Sequence, residues 1–368
     1  MPTSPASFDN SHNFRMPAEW EPHDATWLAW PHFRGDWPGK FEPIPWVYAE
    51  IIRHISRNER VDLIVNNPAS EKSARKTLKL ANALHPNVHF RRWPTNRVWT
   101  RDSGCTFVIS GRTGVRARQP EGTASLQGIH WRFNAWAKYS NYRHDERIGS
   151  LMANAAHATE VRALHKGKPV VLEGGSIDIN GTGTLITTEE CLLSNVQLRN
   201  RGFRRQDYEQ IFANYLGIQQ VVWLDRGIAG DDTHGHVDDI TRFVAAKMIV
   251  TVVEPNRRDV NHQPLKENLC RLKSATDLDG KPFQVIELPM PSAVTFEGRR
   301  LPASYGNFYI ANKAVLVPVF NDPNDRIALN ILADLFPNRA IIPIYSGDLI
   351  WGFGALHCMT QQQPAVRA

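Results

Sequence analysis

The stretch Asn307-Phe-Tyr-Ile-Ala-Asn-Lys-Ala-Val-Leu-Val-Pro-Val-Phe320 shows how this chain is built. It holds two apolar segments, 307–311 and 314–320, separated by the turn Asn312-Lys313, and this pattern predicts a pair of strands. A helix is expected next, because apolar residues recur at helical spacing at Ile327, Leu329, Ile331, Leu332 and Leu335. The apolar segment 340–345 then predicts a closing strand. The predicted order is therefore a ββαβ unit.

The same order of predicted elements recurs along the chain at a spacing of roughly 60–70 residues. The elements of the other units are 240–245, 248–253, 265–272 and 283–288; 176–180, 184–187, 206–215 and 220–224; 106–110, 128–133, 146–156 and 160–164; and 25–30, 46–55 and 61–65. We therefore expect an α/β protein of about five units in a single domain over 13–364, with 1–12 and 365–368 as disordered termini. Because no sequence identity between the units is detectable, an ordinary α+β domain is the alternative.

Composition limits the classes of protein to which the chain can belong. Of 368 residues, 42% are hydrophobic and 22% charged, as in an ordinary globular protein. The formal net charge of +6 is scattered, with no run of Lys and Arg that would mark a nucleic-acid site. Four dispersed cysteines, a polar N-terminus and the lack of a long apolar run favour a cytoplasmic protein without disulfides or membrane contact.

Segments with chemically capable side chains stand at equivalent places in the units. They are Trp99-Thr-Arg-Asp102, Glu173-Gly-Gly-Ser176, His234-Gly-His-Val-Asp238, Ser304-Tyr-Gly-Asn307 and Leu356-His-Cys358. If the units surround one axis, equivalent strand ends lie at one end of it. We therefore expect these groups to meet at one central site.

Cys358 is the candidate nucleophile. Gly352 and Gly354 before it allow close approach of the backbone, and Thr360-Gln-Gln after it supplies polar groups. A thiolate is a strong nucleophile, and a nearby histidine can activate it. A buried cysteine that only packs is the alternative for Cys358 and the expectation for the other three.

His236 and Asp238 are expected to project from the same face of a strand, which suits a general acid/base beside a charge-holding group. A half-exposed polar strand is the alternative. Asp102 offers a second carboxylate with Trp99 beside it. Because the planar guanidinium group pairs well with carboxylates, a site with Asp102 and Asp238, and with Asp232 and Glu173 nearby, suits a guanidinium substrate.

These motifs resemble those of the agmatine deiminase branch of the guanidino-group-modifying family, which also includes bacterial peptidylarginine deiminases. The resemblance runs from Met16-Pro-Ala-Glu-Trp-Glu-Pro-His23 to His357-Cys-Met-Thr-Gln-Gln-Gln-Pro364. It implies a five-bladed, pseudo-symmetric α/β propeller with its active site on the axis. It also implies Cys358 as nucleophile, His236 as acid/base, and Asp102 and Asp238 as holders of the guanidinium group, with no metal and no organic cofactor. The implied reaction converts agmatine to N-carbamoylputrescine and ammonia through an amidino adduct on the cysteine.

Further residues are expected to bind the substrate, namely Trp99, Asp232, Glu173 and Asn307. The family's common Asp-Glu-Thr-Asp-Gly-His reads Asp231-Asp-Thr-His-Gly-His236 here, so Asp232 replaces the Glu that faces the distal amine. Asp239 stands where Asn is usual and should face away from Asp238, and Phe353 interrupts the glycine run before the nucleophile. No Arg or Lys in these motifs is placed to hold an α-carboxylate. The expected substrate is therefore agmatine, ahead of peptidylarginine or arginine.

Two other classes of protein remain open at this point. His234, His236, Asp238 and His357 or Cys358 could form the ligand set of a zinc hydrolase. A non-catalytic protein that binds cations or nucleic acid is the other alternative, because the chain has eleven tryptophans and a pI near 9.2. The expected partner is a small guanidinium substrate, with no nucleic acid and no membrane. The sequence is compatible with a homo-oligomer.

Overall fold

Five mixed β-sheets form the framework of residues 13–111 and 124–366, the parts of the chain that the computed structural model describes. In each sheet, a first strand pairs antiparallel with a second, the second pairs in parallel with a third, and a helix lies in the parallel connection. Sheets I and II each have one further strand, Val88–Arg92 beyond the third strand of sheet I and Phe14–Arg15 beyond the first strand of sheet II. The ββαβ order predicted from the sequence is thus confirmed. Of the predicted disordered termini, 1–12 and 367–368 lie outside the described residues, whereas Ala365 donates its backbone N–H to the Pro22 carbonyl at 2.8 Å.

Sheet I pairs the C-terminal strand with the first long strand of the chain. Its strands, in order, are Gln361–Pro364, His23–Ala29, Arg60–Val65 and Val88–Arg92, and helices α1 (Ile44–Ile55) and α2 (Pro68–Leu80) join the parallel ones. The C-terminal strand runs antiparallel to the first long strand, with Gln361 opposite Trp27. The last residues of the chain therefore complete the first unit. The sequence pattern predicted neither this pairing nor α2, whose buried face is small.

Sheets II and III follow along the chain. Sheet II consists of Phe14–Arg15, Thr106–Ser110, Ser125–His130 and Thr159–Arg162, with the short helix α3 (Thr100–Ser103) before it and α4 (Ile148–Ala155) inside it. Sheet III consists of Asp178–Ile179, Thr184–Thr188 and Gln220–Leu224, with α5 (Glu189–Leu193) and α6 (Arg205–Leu216). Helix α6 ends at Gly217, whose φ of +73° is the left-handed conformation that favours glycine at a helix C-terminus.

Sheets IV and V have the clearest units. Sheet IV consists of Thr241–Ala245, Met248–Val253 and Gln284–Pro289 with α7 (His262–Ser274), and sheet V of Tyr309–Ile310, Ala314–Val319 and Ala340–Tyr345 with α8 (Pro323–Leu335). Helix α8 begins with a capping box, in which the Asp322 and Asp325 side chains accept backbone N–H groups at the first turn. Two short hairpins, 164–169 and 295–300, lie outside the five sheets.

Each unit packs against a neighbour through its helix or its first strand. Helix α7 contacts the closing strand of sheet III, α8 contacts that of sheet IV, and α1 contacts that of sheet V. The C-terminal strand of sheet I contacts strand 106–110 of sheet II, and strand 178–179 of sheet III contacts strand 241–245 of sheet IV. First strands therefore lie next to each other between sheets I and II and between sheets III and IV. Within the described residues, no helix combines the length and the apolar character needed to cross a membrane.

Candidate active site

The five polar segments named from the sequence each lie directly before the first strand of a sheet. Asp102 is in α3, before strand 106–110. Glu173 precedes the 3₁₀ turn 174–176 before strand 178–179, and His236 and Asp238 lie at the turn 237–239 before strand 241–245. Asn307 precedes strand 309–310, and Cys358 precedes strand 361–364. These segments converge: the Cys358 sulfur lies 3.6 Å from Asp238, and the His236 ring lies 3.9 Å from Asp102.

The Cys358 thiol is buried and held by an amide. Asn307 donates its Nδ2 hydrogen to the Cys358 Sγ at 3.1 Å, and its Oδ1 accepts the backbone N–H of His357 at 3.0 Å. The sulfur lies 3.6 Å from Oδ2 of Asp238. Burial first, and then the negative field of Asp238, Asp239 and Asp102, raise the pKa of Cys358 well above its usual value. The group is therefore a neutral thiol at neutral pH.

The His236 ring is fully buried between two carboxylates. Its Nδ1 lies 3.9 Å from Oδ2 of Asp102, its Nε2 lies 3.7 Å from Oε2 of Glu173, and neither nitrogen has a hydrogen-bond partner among the described residues. Burial alone would lower the pKa of His236, but Asp102, Cys191 and Glu173 together raise it well above the usual value. His236 is consequently an imidazolium at neutral pH. A charged ring with free N–H groups can donate a proton.

Asp102 and Asp238 have different surroundings. Asp102 accepts the indole N–H of Trp136 at 2.9 Å and the backbone N–H of Gly175 at 3.0 Å, and burial raises its pKa to about 6. Burial also opposes ionisation of Asp238, but the hydrogen bond and positive charge of His357 outweigh it and lower the pKa of Asp238. Of the two carboxyl groups, Asp238 therefore ionises more readily.

Glycine at position 175 allows these groups to approach each other. A Cβ atom there would lie 2.6 Å from Nδ1 of His236, 2.9 Å from Oδ2 of Asp238 and 3.1 Å from Oδ1 of Asp102. The first two distances are shorter than real Cβ contacts. The glycine run of the Glu173-Gly-Gly-Ser176 segment is thus needed because three charged groups meet against its backbone.

A cavity of about 440 Å³ leads to the nucleophile. Of the sequence-predicted site residues, Cys358, Asp102, Trp99 and Asp232 line this cavity. The left-handed Phe353 (φ +65°) also lines it, next to Gly354, where a Cβ would lie 2.7 Å from the Trp99 ring. The aromatic wall predicted beside Asp102 is therefore present, with Trp136 as a second, unpredicted indole.

Three of the predicted substrate-binding residues, Glu173, Asn307 and Asp232, are already bonded within the protein. Arg199 donates its Nε hydrogen to Glu173 at 3.1 Å, and both side chains of this ion pair are fully buried. Asn307 bonds to the cysteine and also donates to Oδ1 of Asp239 at 3.0 Å. Asp232 accepts from Lys138 at 2.5 Å and from the Tyr139 hydroxyl at 2.7 Å.

The local conformation around His236 differs from the sequence prediction. Residues 237–239 form a 3₁₀ turn and the strand begins only at Thr241, so His236 and Asp238 do not alternate along a strand. Asp239 was expected to face away from Asp238, but it is buried and has a carboxylate oxygen within 4.8 Å of both Asp238 and the Cys358 sulfur. Burial and the charges of Asp238 and Asp231 raise the pKa of Asp239 well above its usual value. Its surroundings therefore oppose its ionisation.

Several residues of the site were not predicted. His357 donates from one ring nitrogen to Oδ2 of Asp238 at 2.7 Å and pairs through the other with Oε2 of Glu19 at 2.9 Å. Glu19 in turn pairs with Arg101 and Arg242, at 3.2 and 2.9 Å. This buried chain of alternating charges fixes Asp238 from the side opposite the cavity. The Met16–His23 motif contains Glu19, but nothing in the sequence assigned it a partner.

The ligand set proposed for a zinc hydrolase is not assembled. His234 points to the Ser194 hydroxyl at 3.2 Å and lies in neither of the two three-residue groups of close metal-binding side chains found among the described residues. Those groups are Glu173 with Cys191 and His236, and Asp238 with Asp239 and Cys358. Cys191, expected only to pack, thus lies beside the His236 ring.

Comparison with known proteins identifies a family of deiminases. The family model of Porphyromonas-type peptidyl-arginine deiminase matches residues 15–364. An agmatine deiminase of Pseudomonas fluorescens is 33% identical over 382 residues, which cover 98% of each chain. The solved agmatine deiminase of Enterococcus faecalis superposes with a TM-score of 0.85 at 27% identity, covering 99% of both chains. A cysteine-to-serine variant of the C. jejuni agmatine deiminase, solved with substrate bound, gives 0.82 at 28% identity over 96% of this chain and 97% of that one. The chain belongs to the Porphyromonas-type peptidyl-arginine deiminase family.

Proposed function

We propose that this protein is an agmatine deiminase, a hydrolase that converts agmatine and water to N-carbamoylputrescine and ammonia. The observation that carries the proposal is the convergence of a thiol, an imidazolium and two carboxylates, namely Cys358, His236, Asp102 and Asp238. Cys358 and Asp102 line the cavity. The relatives and solved structures named as agmatine deiminases support the choice of substrate.

The carboxylates hold the guanidinium group in the first step. Asp102 and Asp238 pair with its N–H groups, and the substrate cation offsets the negative field that keeps Cys358 protonated. The pKa of the thiol falls as the substrate binds, so the thiol loses its proton to solvent and a thiolate forms beside the guanidinium carbon. Its sulfur attacks the central guanidinium carbon, and a tetrahedral adduct forms with one new C–S bond.

His236 then moves protons in both halves of the reaction. It donates a proton to one nitrogen of the adduct, the C–N bond breaks, and ammonia leaves an amidino thioether on Cys358. In the second half, neutral His236 accepts a proton from the water that attacks the same carbon. The C–S bond breaks, which releases the thiol and the carbamoyl product.

The surrounding residues have supporting roles in this proposal. Glu173, held by Arg199, keeps the His236 ring charged and oriented, and Asn307 fixes the nucleophile by its bond to the sulfur. Trp99 forms an apolar wall for the substrate's alkyl chain. Asp232 at the outer part of the cavity is a candidate for the distal amine, in competition with the Lys138 ammonium that it already binds.

We also propose that the five sheets are the blades of a pseudo-symmetric propeller in a single domain over residues 13–364. The shared ββαβ order, the neighbouring first strands and the pairing of the C-terminal strand with sheet I support this arrangement. In a propeller, the loops that enter the innermost strands meet at one end of the axis. The site residues come from loops of this kind.

Free arginine is a second candidate substrate, because the cavity carries cations that its sequence motifs did not reveal. Arg97, Lys138 and Arg299 line it, whereas no cation was expected near the substrate's far end. Lys138 and Arg97 are bonded to other residues, but Arg299 lies over the rings of Trp351 and Phe353 and has no acidic partner among the described residues. It could meet a carboxylate at the opening.

The function is tested by the rates of ammonia release from agmatine, arginine and a blocked arginine amide. We expect agmatine to have the highest kcat/KM, and Cys358→Ser to abolish turnover, because an alcohol is a far weaker nucleophile. Cys270→Ser is the control, since Cys270 is exposed. Mass spectrometry of acid-quenched protein should show the amidino adduct on Cys358. If arginine had a higher kcat/KM than agmatine, arginine would be the substrate instead. An active, folded Cys358→Ser protein would falsify the mechanism.

A further inference from the structure

The outer part of the cavity carries charges of both signs. Its acids are Asp36 and Asp232, and its cations are Arg97, Lys138 and Arg299. A substrate whose guanidinium group lies beside Cys358 and Asp102 places its other end among these residues. Which of the two acids is free to receive a second cation therefore bears on the choice of substrate.

Asp232 has both carboxylate oxygens engaged. Oδ1 pairs with the Lys138 ammonium at 2.5 Å, and Oδ2 accepts the Tyr139 hydroxyl at 2.7 Å. An incoming ammonium at Oδ1 would have to displace the one already there. Exchange of one ammonium group for another gives little net electrostatic gain.

Asp36 is similarly buried but has fewer bonded partners than Asp232. Its side chain is only 10% exposed, and Oδ2 is buried without a hydrogen-bond partner among the described residues. Oδ1 lies 3.6 Å from Nε of Arg97, beyond hydrogen-bond distance, and the terminal nitrogens of Arg97 donate to the carbonyl and side chain of Asn141. A buried carboxylate with one oxygen unbonded and its ion-pair partner 3.6 Å away is costly, so a cation that reaches Asp36 would bind favourably.

The surroundings of Asp36 explain why its pKa is raised. Burial first raises the pKa of Asp36 to about 7; Arg97 opposes this shift, and the nearby carboxylates Asp145 and Asp232 add to it. A substrate ammonium would act in the same sense as Arg97 and favour the charged form. The charge of Asp36 therefore depends on whether a cationic ligand is bound, whereas the charge of Asp232 is already neutralised by Lys138.

The segment that carries Asp36 is tied to the loop that leads to the nucleophile. Trp37 is buried and donates its indole N–H to the Leu349 carbonyl at 2.8 Å, and Trp351 donates to the Pro38 carbonyl at 2.9 Å. A Cβ at Gly352 would lie 2.7 Å from the Trp37 ring. Asp36 is thus held in a fixed position relative to the Gly352–Cys358 loop, as a residue that recognises substrate length must be.

From this geometry we propose that Asp36, not Asp232, receives the distal ammonium of the substrate. The inference rests on the proposed deiminase function and names the part of the same cavity that selects a doubly cationic substrate. Lys138 keeps Asp232 occupied and leaves Asp36 as the available anion.

The test compares agmatine with butylguanidine, which has the same guanidinium and alkyl chain but no amine. The readout is the ratio of kcat/KM for agmatine to that for butylguanidine. In the wild-type protein we expect the ratio to exceed one, and in Asp36→Asn we expect it to fall by roughly 30-fold, the loss typical of one partner of a desolvated charge pair. Asp232→Asn tests the other acid: the ratio should fall by less than in Asp36→Asn, because the Asp232 carboxylate already binds Lys138. Asp36→Glu, which keeps the charge, should retain most of the preference.

The possible outcomes separate this inference from the proposed function. Ammonia release from agmatine with an unchanged ratio in Asp36→Asn would overturn the assignment of Asp36 and leave the deiminase activity standing. The same holds if Asp232→Asn, and not Asp36→Asn, lowers the ratio, or if the wild-type protein shows no preference for agmatine. A wild-type protein that releases no ammonia from agmatine would overturn both. Thermal unfolding followed by circular dichroism confirms folding, and Asp36→Glu decides the matter if Asp36→Asn does not fold.

Discussion

A single methyl group at position 175 should disable the site while leaving the fold in place. Gly175 donates its backbone N–H to Asp102, and its Cα faces His236 and Asp238. Its φ is not in the left-handed region, so alanine has no backbone penalty there. The effect of Gly175→Ala must therefore come from the contacts of the new Cβ.

The contacts indicate how far the groups must move. The new Cβ would lie 2.6 Å from Nδ1 of His236, whereas ordinary contacts begin at 3.4 Å, so a displacement of about 0.8 Å is needed. The His236 ring is fully buried and cannot swing into solvent. Because a misplacement of about 1 Å can cost on the order of 100-fold in rate, we expect kcat/KM to fall by roughly 30- to 100-fold. Overpacking should cost about 1–3 kcal/mol of unfolding free energy.

Gly128→Ala provides the matched control. A Cβ at Gly128 would lie 2.7 Å from Cβ of Ala153, a similar overlap in a part of the core that contains no site residue. Both variants should lose comparable stability in urea unfolding, but only Gly175→Ala should lose activity per folded molecule. If Gly175→Ala kept wild-type kcat/KM on agmatine, or if Gly128→Ala lost as much, the close approach of the three charged groups to residue 175 would be refuted.

The remaining predictions concern individual carboxyl groups. Asp239→Asn should change kcat/KM by less than about threefold at neutral pH, because burial and the neighbouring carboxylates already oppose its ionisation, whereas Asp238→Asn should cost about 2–5 kcal/mol of transition-state stabilisation. Steady-state kinetics of the two variants decides this, and a more damaging Asp239→Asn would contradict it. The pH dependence of KM for agmatine reports on Asp36: KM should rise as the pH falls below about 7, since protonation removes the negative charge. Asp36→Asn should flatten this dependence, and a wild-type KM that fell towards acid pH would contradict the assignment.

The apolar pattern predicted the bounds of strands well where apolar residues follow one another without interruption. Strands 248–253 and 340–345 have the predicted bounds because consecutive apolar residues leave little choice of conformation. The strand predicted at 307–311 spans only 309–310 in the structure, because the Asn307 side chain bonds to the Cys358 sulfur. Helix α2 was missed, since it buries only Glu71, Ala74 and Leu78 and is otherwise charged. The pairing of 361–364 with the first strand depends on contacts across the whole chain, which no local pattern encodes.

The chemistry of the site was more predictable than its electrostatics. A thiol, an imidazole and two carboxylates could be named from motifs, because each motif precedes a first strand and the repeat brings these loops together. The charge states could not be named, since they depend on burial and on distant partners. Asp238 owes its secure negative charge to His357, which is held by Glu19 from the other end of the chain. His357 was considered only as a zinc ligand.

The two parts of the cavity differ in how their residues relate to the repeat. The reacting groups, such as Asp102 and Cys358, come from equivalent loops before first strands, so the ββαβ period placed them together. The outer residues come from segments with no counterpart in the other units: Asp36 follows strand 23–29, Lys138 follows the 3₁₀ turn 135–137, and Arg299 lies in the hairpin 295–300. The repeat therefore predicts the reaction but carries no information about the substrate's far end. Substitutions in the outer segments can alter the choice of guanidine without moving the loops that hold the nucleophile.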